Sequence, residues 1–245
     1  MTSQVPVALI TGAAHRIGAA IAQYLHAAGF RVIIHYLQSE RKAFTLTQKL
    51  NDLEKDSALA LYGDLRIPST SEQLITQTLA WGNQLNLLVN NASVFISDAL
   101  GQTINDWEDS FNTNVRAPFL LSHAAFPHLS VVKGCVINIS DIHATKPLKG
   151  YGIYCQTKAA VNMQTKVLAR EFAPNVRVNA IAPGAIAWPE NANALSAEIK
   201  NKILNQTPMK QHGHPDYIAK AILGLIENPF VTGQILCVDG GRSLT

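Results

Sequence analysis

The 245-residue sequence predicts a doubly wound, seven-stranded parallel α/β sheet with helices on both faces. Three observations carry that expectation. Short apolar runs alternate with longer stretches of helical period; a glycine-bearing turn separates the first run from the first helix; and no Pro/Gly/Ser-rich linker, internal repeat or low-complexity tract divides the chain. A single domain spanning residues 1–245 follows, large enough to bury a substantial core.

The first strand is expected in Val5-Pro6-Val7-Ala8-Leu9-Ile10, and the helix behind it places Ile17, Ile21, Leu25 and Ala28 on one face before Gly29 stops it. Further strands are expected from Arg31 to Tyr36, Ala58 to Tyr62, Leu85 to Asn90, Cys135 to Ser140, Val176 to Ile181 and Gln234 to Val238. Ser69 with Glu72 three residues on reads as a capping box opening a helix, and another helix is expected from Tyr151 onward. The irregular stretch from Pro183 to about Leu195, with Gly184 and Pro189, reads either as a loop over a ligand site or as a plain surface loop. A substrate-loop region of about 184–213 is expected there.

Composition excludes several classes of function. A net charge of +3, with no Lys/Arg run longer than Arg41-Lys42, argues against nucleic acid as a partner. The first residues carry no basic stretch and no segment nears the roughly 18 apolar residues of a membrane span, so a soluble cytoplasmic protein is expected. Cys135, Cys155 and Cys237 have no paired spacing, which suits a reducing compartment, and two of them are expected in buried strands. His143, His212 and His214 lack metal-ligand spacing, so no metal is expected.

The turn Thr11-Gly12-Ala13-Ala14-His15-Arg16-Ile17-Gly18 has the small residues that let backbone amides approach a pyrophosphate at a helix N-terminus. Glycine required only for a positive φ is the alternative reading of the turn alone. On the helix after Tyr151, Tyr154 and Lys158 are spaced i, i+4 and share a face. A lysine ammonium beside a tyrosine favours its phenolate and makes it a usable acid.

Thr11-Gly12, Gly18, Asn90-Asn91-Ala92, Asn114 followed by Pro118, Tyr154 with Lys158, and Pro183-Gly184 occur in the order of the short-chain dehydrogenases/reductases, which the chain resembles over nearly its whole length. The resemblance implies a Rossmann-type fold with ligands at the carboxyl ends of the strands. It implies a nucleotide site built from Gly12, His15, Arg16, Ile17, Gly18, His35, Tyr36, Ser39, Asp64, Leu65, Asn91, Ala92, Ser93, Tyr154, Lys158, Pro183, Gly184 and Ile186. Asp64-Leu65 would lie against the adenine, Lys158 would reach the nicotinamide ribose, and Asn114 would hold water on a proton path. Arg16 stands where the family's middle glycine would be, and the second strand ends without a carboxylate, so NADP(H) is expected. Arg16, His35 and Ser39 are the candidates for the 2′-phosphate, with Arg41 beyond them, while the basic residue that such reductases can carry near Gln38 is absent; Glu40 on the ribose is the alternative.

Counting thirteen positions back from Tyr154, where most of the family has serine, gives Asp141; Ser140 is one position early and points to the opposite face unless the register slips. Asp141, the arginine in the glycine turn, His35-Tyr36, Asn91-Ala92-Ser93-Val94-Phe95 and the ending Val238-Asp239-Gly240-Gly241-Arg242-Ser243-Leu244 resemble the pteridine reductase branch. That implies Asp141, Tyr154, Lys158 and Asn114 as the catalytic set. Arg16, Ser93, Phe95, Asp141, Tyr154 and Trp188 would meet a pterin or dihydrofolate, with Phe95 stacked on the substrate or else merely packing its loop. Carbonyl reduction is the second expectation. A non-catalytic NADP-binding sensor is disfavoured by the presence of Asn114, Tyr154 and Lys158, and a homotetramer is implied by the family's usual assembly.

Overall fold

The computed structural model describes residues 5–98, 103–188 and 194–245. All seven expected strands are present: β1 (Val7–Ile10), β2 (Arg31–Tyr36), β3 (Ala58–Tyr62), β4 (Leu87–Asn90), β5 (Cys135–Ile139), β6 (Arg177–Pro183) and β7 (Ile235–Val238). They pair in parallel in the order β3-β2-β1-β4-β5-β6-β7. Central strands are nearly continuous apolar runs because both faces of the sheet are covered. Side chains alternate across the pleat: Ala8 and Ile10 pack to one side, Val7 and Leu9 to the other.

The first face is covered by α1 (Arg16–Ala27), α2 (Glu40–Leu53) and α8 (Pro215–Glu227), through Ile21, Leu25, Leu46 and Ile222. On the second face lie α3 (Thr70–Gly82), α5 (Ala117–Val131) and α6 (Gly152–Phe172), through Leu74, Leu121 and Leu168. Two shorter helices, α4 (Ile104–Phe111) and α7 (Ala197–Gln206), sit nearer the carboxyl-end loops. Because β1 pairs with both β2 and β4, the chain leaves it in two directions and a crevice opens above the carboxyl ends.

Gly29 ends α1 as expected, in a left-handed conformation with φ 88° that a side chain would strain. The Ser69–Glu72 capping box does not form. Ser69 is itself helical in backbone, and the amides of Thr70, Ser71 and Gln73 already donate to carbonyls of the preceding turn, so no side-chain cap is required. A reciprocal box forms instead between Thr103 and Asp106 at the start of α4. Cys135 is buried, but Cys237 is exposed because β7 is an edge strand. Pro189 lies outside the described residues, as does the N-terminal Met1 to Gln4 segment. No helix among the described residues is long and apolar enough to cross a membrane.

Candidate active site

A cleft of about 780 Å³ lies above the carboxyl ends of the strands. Its lining includes every residue expected at the site apart from Asn114, from Gly12 and Arg16 on one side to Tyr154, Gly184 and Trp188 on the other. Tertiary folding thus brings together residues separated by more than half the chain.

The nucleotide end is built by close backbone approach. A Cβ on Gly12, whose φ is +61°, would sit 2.9 Å from Ala92 Cα, and one on Gly18 would sit 2.7 Å from Asn91 Nδ2 and 2.8 Å from Ala13 Cα. Thr11 Oγ1 accepts from the amides of Asn91 (2.9 Å) and Ala92 (3.0 Å), while Asn91 Nδ2 donates to Thr11 O (2.8 Å) and Gly12 O (3.0 Å). These bonds tie the glycine turn to the end of β4. The first turn of α1 carries no acid and no side-chain cap, which leaves its amides suited to an anion. Donor chemistry and lack of bulk fit a dinucleotide pyrophosphate.

Several expected partners behave differently from the sequence reading. His35 is buried; its Nδ1 accepts from the Gly12 amide (3.1 Å), which leaves Nε2–H to donate to Gly63 O (3.0 Å). Burial pushes its pKa down to about 4, so it is a neutral brace for the glycine turn and not a cation for a phosphate. Arg16 takes a left-handed backbone (φ 54°), and its Nη2 donates to the carbonyls of Ala187 and Trp188 at 3.0 Å each. It therefore clasps the loop after β6 across the cleft. Asp64 lines the cleft, but its carboxylate is held by Arg66, with Nη2 2.7 Å from Oδ2, and that pairing keeps it below the usual carboxylate range. Leu65 is buried beneath it. Leu37, Gln38 and Ser39 line the end of β2, whereas Glu40 turns to Tyr36 Oη (3.5 Å) and Arg41 faces a separate groove between α1 and α2.

The catalytic end is organised around Asp141. Its Oδ1 accepts from the His143 amide (2.8 Å), capping a single tight turn over Ile142–Ala144, and its Oδ2 accepts from Tyr154 Oη at 2.7 Å. Ser140 points the other way, donating to Asn162 Oδ1 at 2.6 Å, so the register is not slipped. Lys158 Nζ lies 5.5 Å from the Tyr154 ring centroid and donates to Ile139 O (2.9 Å). Burial, and then the Asp141 charge and hydrogen bond, hold the Tyr154 hydroxyl well above its usual value. The ammonium does not dominate, contrary to the simple Tyr–Lys expectation. Burial pushes Lys158 itself down to about 8.

Asn114 is placed by a π-helical turn, Asn112–Arg116, that interrupts the junction of α4 and α5. Its Nδ2 donates to Val94 O (3.0 Å) and Thr157 Oγ1 (3.1 Å), and its Oδ1 accepts from Val94 N (2.8 Å) and Ser93 Oγ (3.1 Å). Both donors and both acceptor sites are used, so the side chain has no capacity left for a water. It braces the Ser93–Val94 segment against α6.

Phe95 stacks on Tyr151 with centroids 4.2 Å apart and rings 9° from parallel, and meets Tyr154 edge-on at 4.7 Å. Trp188 stacks on His212 at 4.3 Å. His143 Nδ1 is 2.8 Å from Lys146 O, and His214 caps α8. Among the described residues no group of three or more His, Cys, Asp or Glu side chains is placed to hold a metal. Sequence reasoning missed Arg66 and Tyr151, and assigned no role to Arg242, which lines the cleft from the C-terminal turn. Only proximity in space marks them.

A family model described as Enoyl-(Acyl carrier protein) reductase matches residues 12–243. The chain belongs to the short-chain dehydrogenase/reductase family. It is 33% identical over 247 residues to a Streptomyces violaceoruber protein named as ketoacyl reductase 2 of the granaticin polyketide synthase, covering 98% of this chain and 97% of that one. It is 32% identical over 239 residues to 3-oxoacyl-(acyl-carrier-protein) reductase FabG of Staphylococcus aureus, covering 96% of each. A crystal structure of a blue fluorescent protein from a metagenomic library in complex with NADPH superposes with a TM-score of 0.89 at 30% identity, covering 97% of both chains.

Proposed function

We propose that this short-chain reductase uses NADPH to reduce the C=N bond of a dihydropterin or dihydrofolate, giving the tetrahydro form. The observation that carries the reading is the 2.7 Å hydrogen bond from Tyr154 to Asp141, in the position where most of the family has serine. In ketone reduction the reacting oxygen gathers negative charge. A serine hydroxyl can donate to it, whereas a carboxylate cannot donate and repels it. In imine reduction the nitrogen accepts a proton and passes through a cation-like form, which a neighbouring carboxylate favours.

NADPH, when bound, supplies the hydride. Its holders would be the Gly12–Gly18 turn, Asn91 to Ser93, Leu65, Pro183, Gly184 and Ile186, with no acid lining the end of β2 against a 2′-phosphate. Tyr154, kept protonated through the neutral range, donates its proton to the substrate nitrogen. Asp141 then returns a proton taken from solvent to Tyr154 Oη, and Lys158 orients the ribose and offsets the anionic pair. The Phe95–Tyr151 stack and Trp188 are aromatic walls for a flat ring, worth about 0.5–1.5 kcal/mol beyond burial. Ala187, Trp188 and Leu195, with Ile199 and Ile203 of α7, line the cleft and support a substrate side there.

A second reading, reduction of a ketone or 3-oxoacyl thioester, is favoured by the names of the relatives, which support it better than they support pterin reduction. NADPH and NADH oxidation with dihydrobiopterin, dihydrofolate, a 3-oxoacyl thioester and simple ketones separates the two. Turnover of pterins with NADPH preferred is expected. Turnover of carbonyl compounds with pterins ignored overturns the pterin reading, and equal efficiency with NADH overturns the choice of cofactor.

A further inference from the structure

Among the described residues four cationic side chains line the cleft, and three of them bond other protein atoms. Arg16 is bonded to the carbonyls of Ala187 and Trp188, Arg66 pairs with Asp64 and Asp109, and Lys158 donates to Ile139 O. Arg242 is different. Its main chain is fixed from both sides: its amide donates to Asp239 O (3.2 Å), and its carbonyl accepts from Lys146 Nζ (3.0 Å) and Thr245 Oγ1 (3.1 Å). The Asp239 carboxylate holds the turn by accepting from the amides of Gly241 (2.9 Å) and Ser243 (2.7 Å), with Gly240 and Gly241 at φ 64° and 84°. Yet the partly buried guanidinium makes no hydrogen bond or ion pair with any described residue. The charges of Asp141 and Asp239 act on it, but a partly buried fork of five donors with no hydrogen-bond partner among the described residues is costly unless a ligand completes it.

We propose that Arg242 receives a carboxylate carried by the substrate away from its reacting bond, and so selects acid-bearing substrates over neutral ones. The inference rests on the reductase reading of this cleft and assigns the substrate class within it. Asp141 faces the same space, with its oxygens engaged by Tyr154 and the His143 amide. An anionic substituent entering beside that carboxylate needs a compensating charge. One guanidinium balances a carboxylate monoanion better than a phosphate dianion, and its planar fork fits the two oxygens.

The test compares matched pairs: dihydrofolate against its dimethyl ester, and a 3-oxo acid against its methyl ester. The intact enzyme is expected to show a KM for the acid-bearing member at least about tenfold below that of its neutral partner, as one charge-assisted hydrogen bond predicts. Arg242→Gln should erase that preference by roughly 10- to 100-fold in KM while leaving the neutral member within about threefold, and Arg242→Lys should restore part of it. The neutral member serves as the control for folding and cofactor binding. Equal KM values for the two members in the intact enzyme, or an equal loss on both in Arg242→Gln, would overturn the proposal. If only the carbonyl pair is turned over, the pterin reading fails, and Arg242 is still judged on that pair alone.

Discussion

Replacing Asp141 tests the chemistry most directly, because its Oδ2 lies 2.7 Å from Tyr154 Oη and its charge is one reason the phenol holds its proton. A hydrogen bond to a charged group contributes about 1.5–3 kcal/mol, equivalent to about one to two pKa units. Asp141→Asn should therefore make the Tyr154 hydroxyl more acidic by about that amount, while burial continues to hold it above an exposed tyrosine. Ultraviolet difference titration of the phenolate, with Tyr154→Phe as the blank, reads the shift. Asp141→Ser should lower pterin turnover by about 10²- to 10⁴-fold, the range for general acid–base catalysis, with NADPH affinity nearly unchanged. An unmoved phenolate titration, or pterin turnover kept within about threefold, refutes the proton-delivery role. Improved ketone reduction in Asp141→Ser from an enzyme that ignores pterins replaces it with the carbonyl reading.

Lys158 sets a pH dependence of stability. Its folded pKa of about 8 lies below the ordinary 10.5, so between those values the unfolded chain binds more protons and stability rises with pH. The cost of burying the ammonium is full below about pH 8; about 2 of some 3 kcal/mol should be relieved between about pH 7 and 9.5. Urea unfolding of the cofactor-free protein against Lys158→Met should show this difference, and parallel curves would sink it. Met163 and Val167 on α6 and Leu236 on the edge strand β7 are exposed apolar side chains, available as contacts if the chain assembles as the homotetramer expected from the family resemblance. Light scattering at micromolar concentration should give four times the 26.6 kDa chain mass, and a monomer would refute it.

The seven strands were legible in the sequence to within about two residues because the repeating apolar pattern is a local property of a sheet covered on both faces. The position of Asp141 was legible too: counting from Tyr154 reaches it, and strand alternation sets its face opposite to that of Ser140, which turns onto Asn162. Partnerships were not legible. Nothing local says that Gly12 and Gly63 will occupy both nitrogens of His35, or that four protein groups will saturate the Asn114 amide. Nor does it say that Arg66 will take the Asp64 carboxylate, or that Arg16 will reach 171 residues along the chain to Ala187. Residue type and spacing determined which groups reach the cleft, since strand order carries them there. Which of those groups remain uncommitted to other protein atoms, Arg242 among them, was decided only by tertiary packing, because a hydrogen bond depends on ångström-scale approach between segments far apart in sequence.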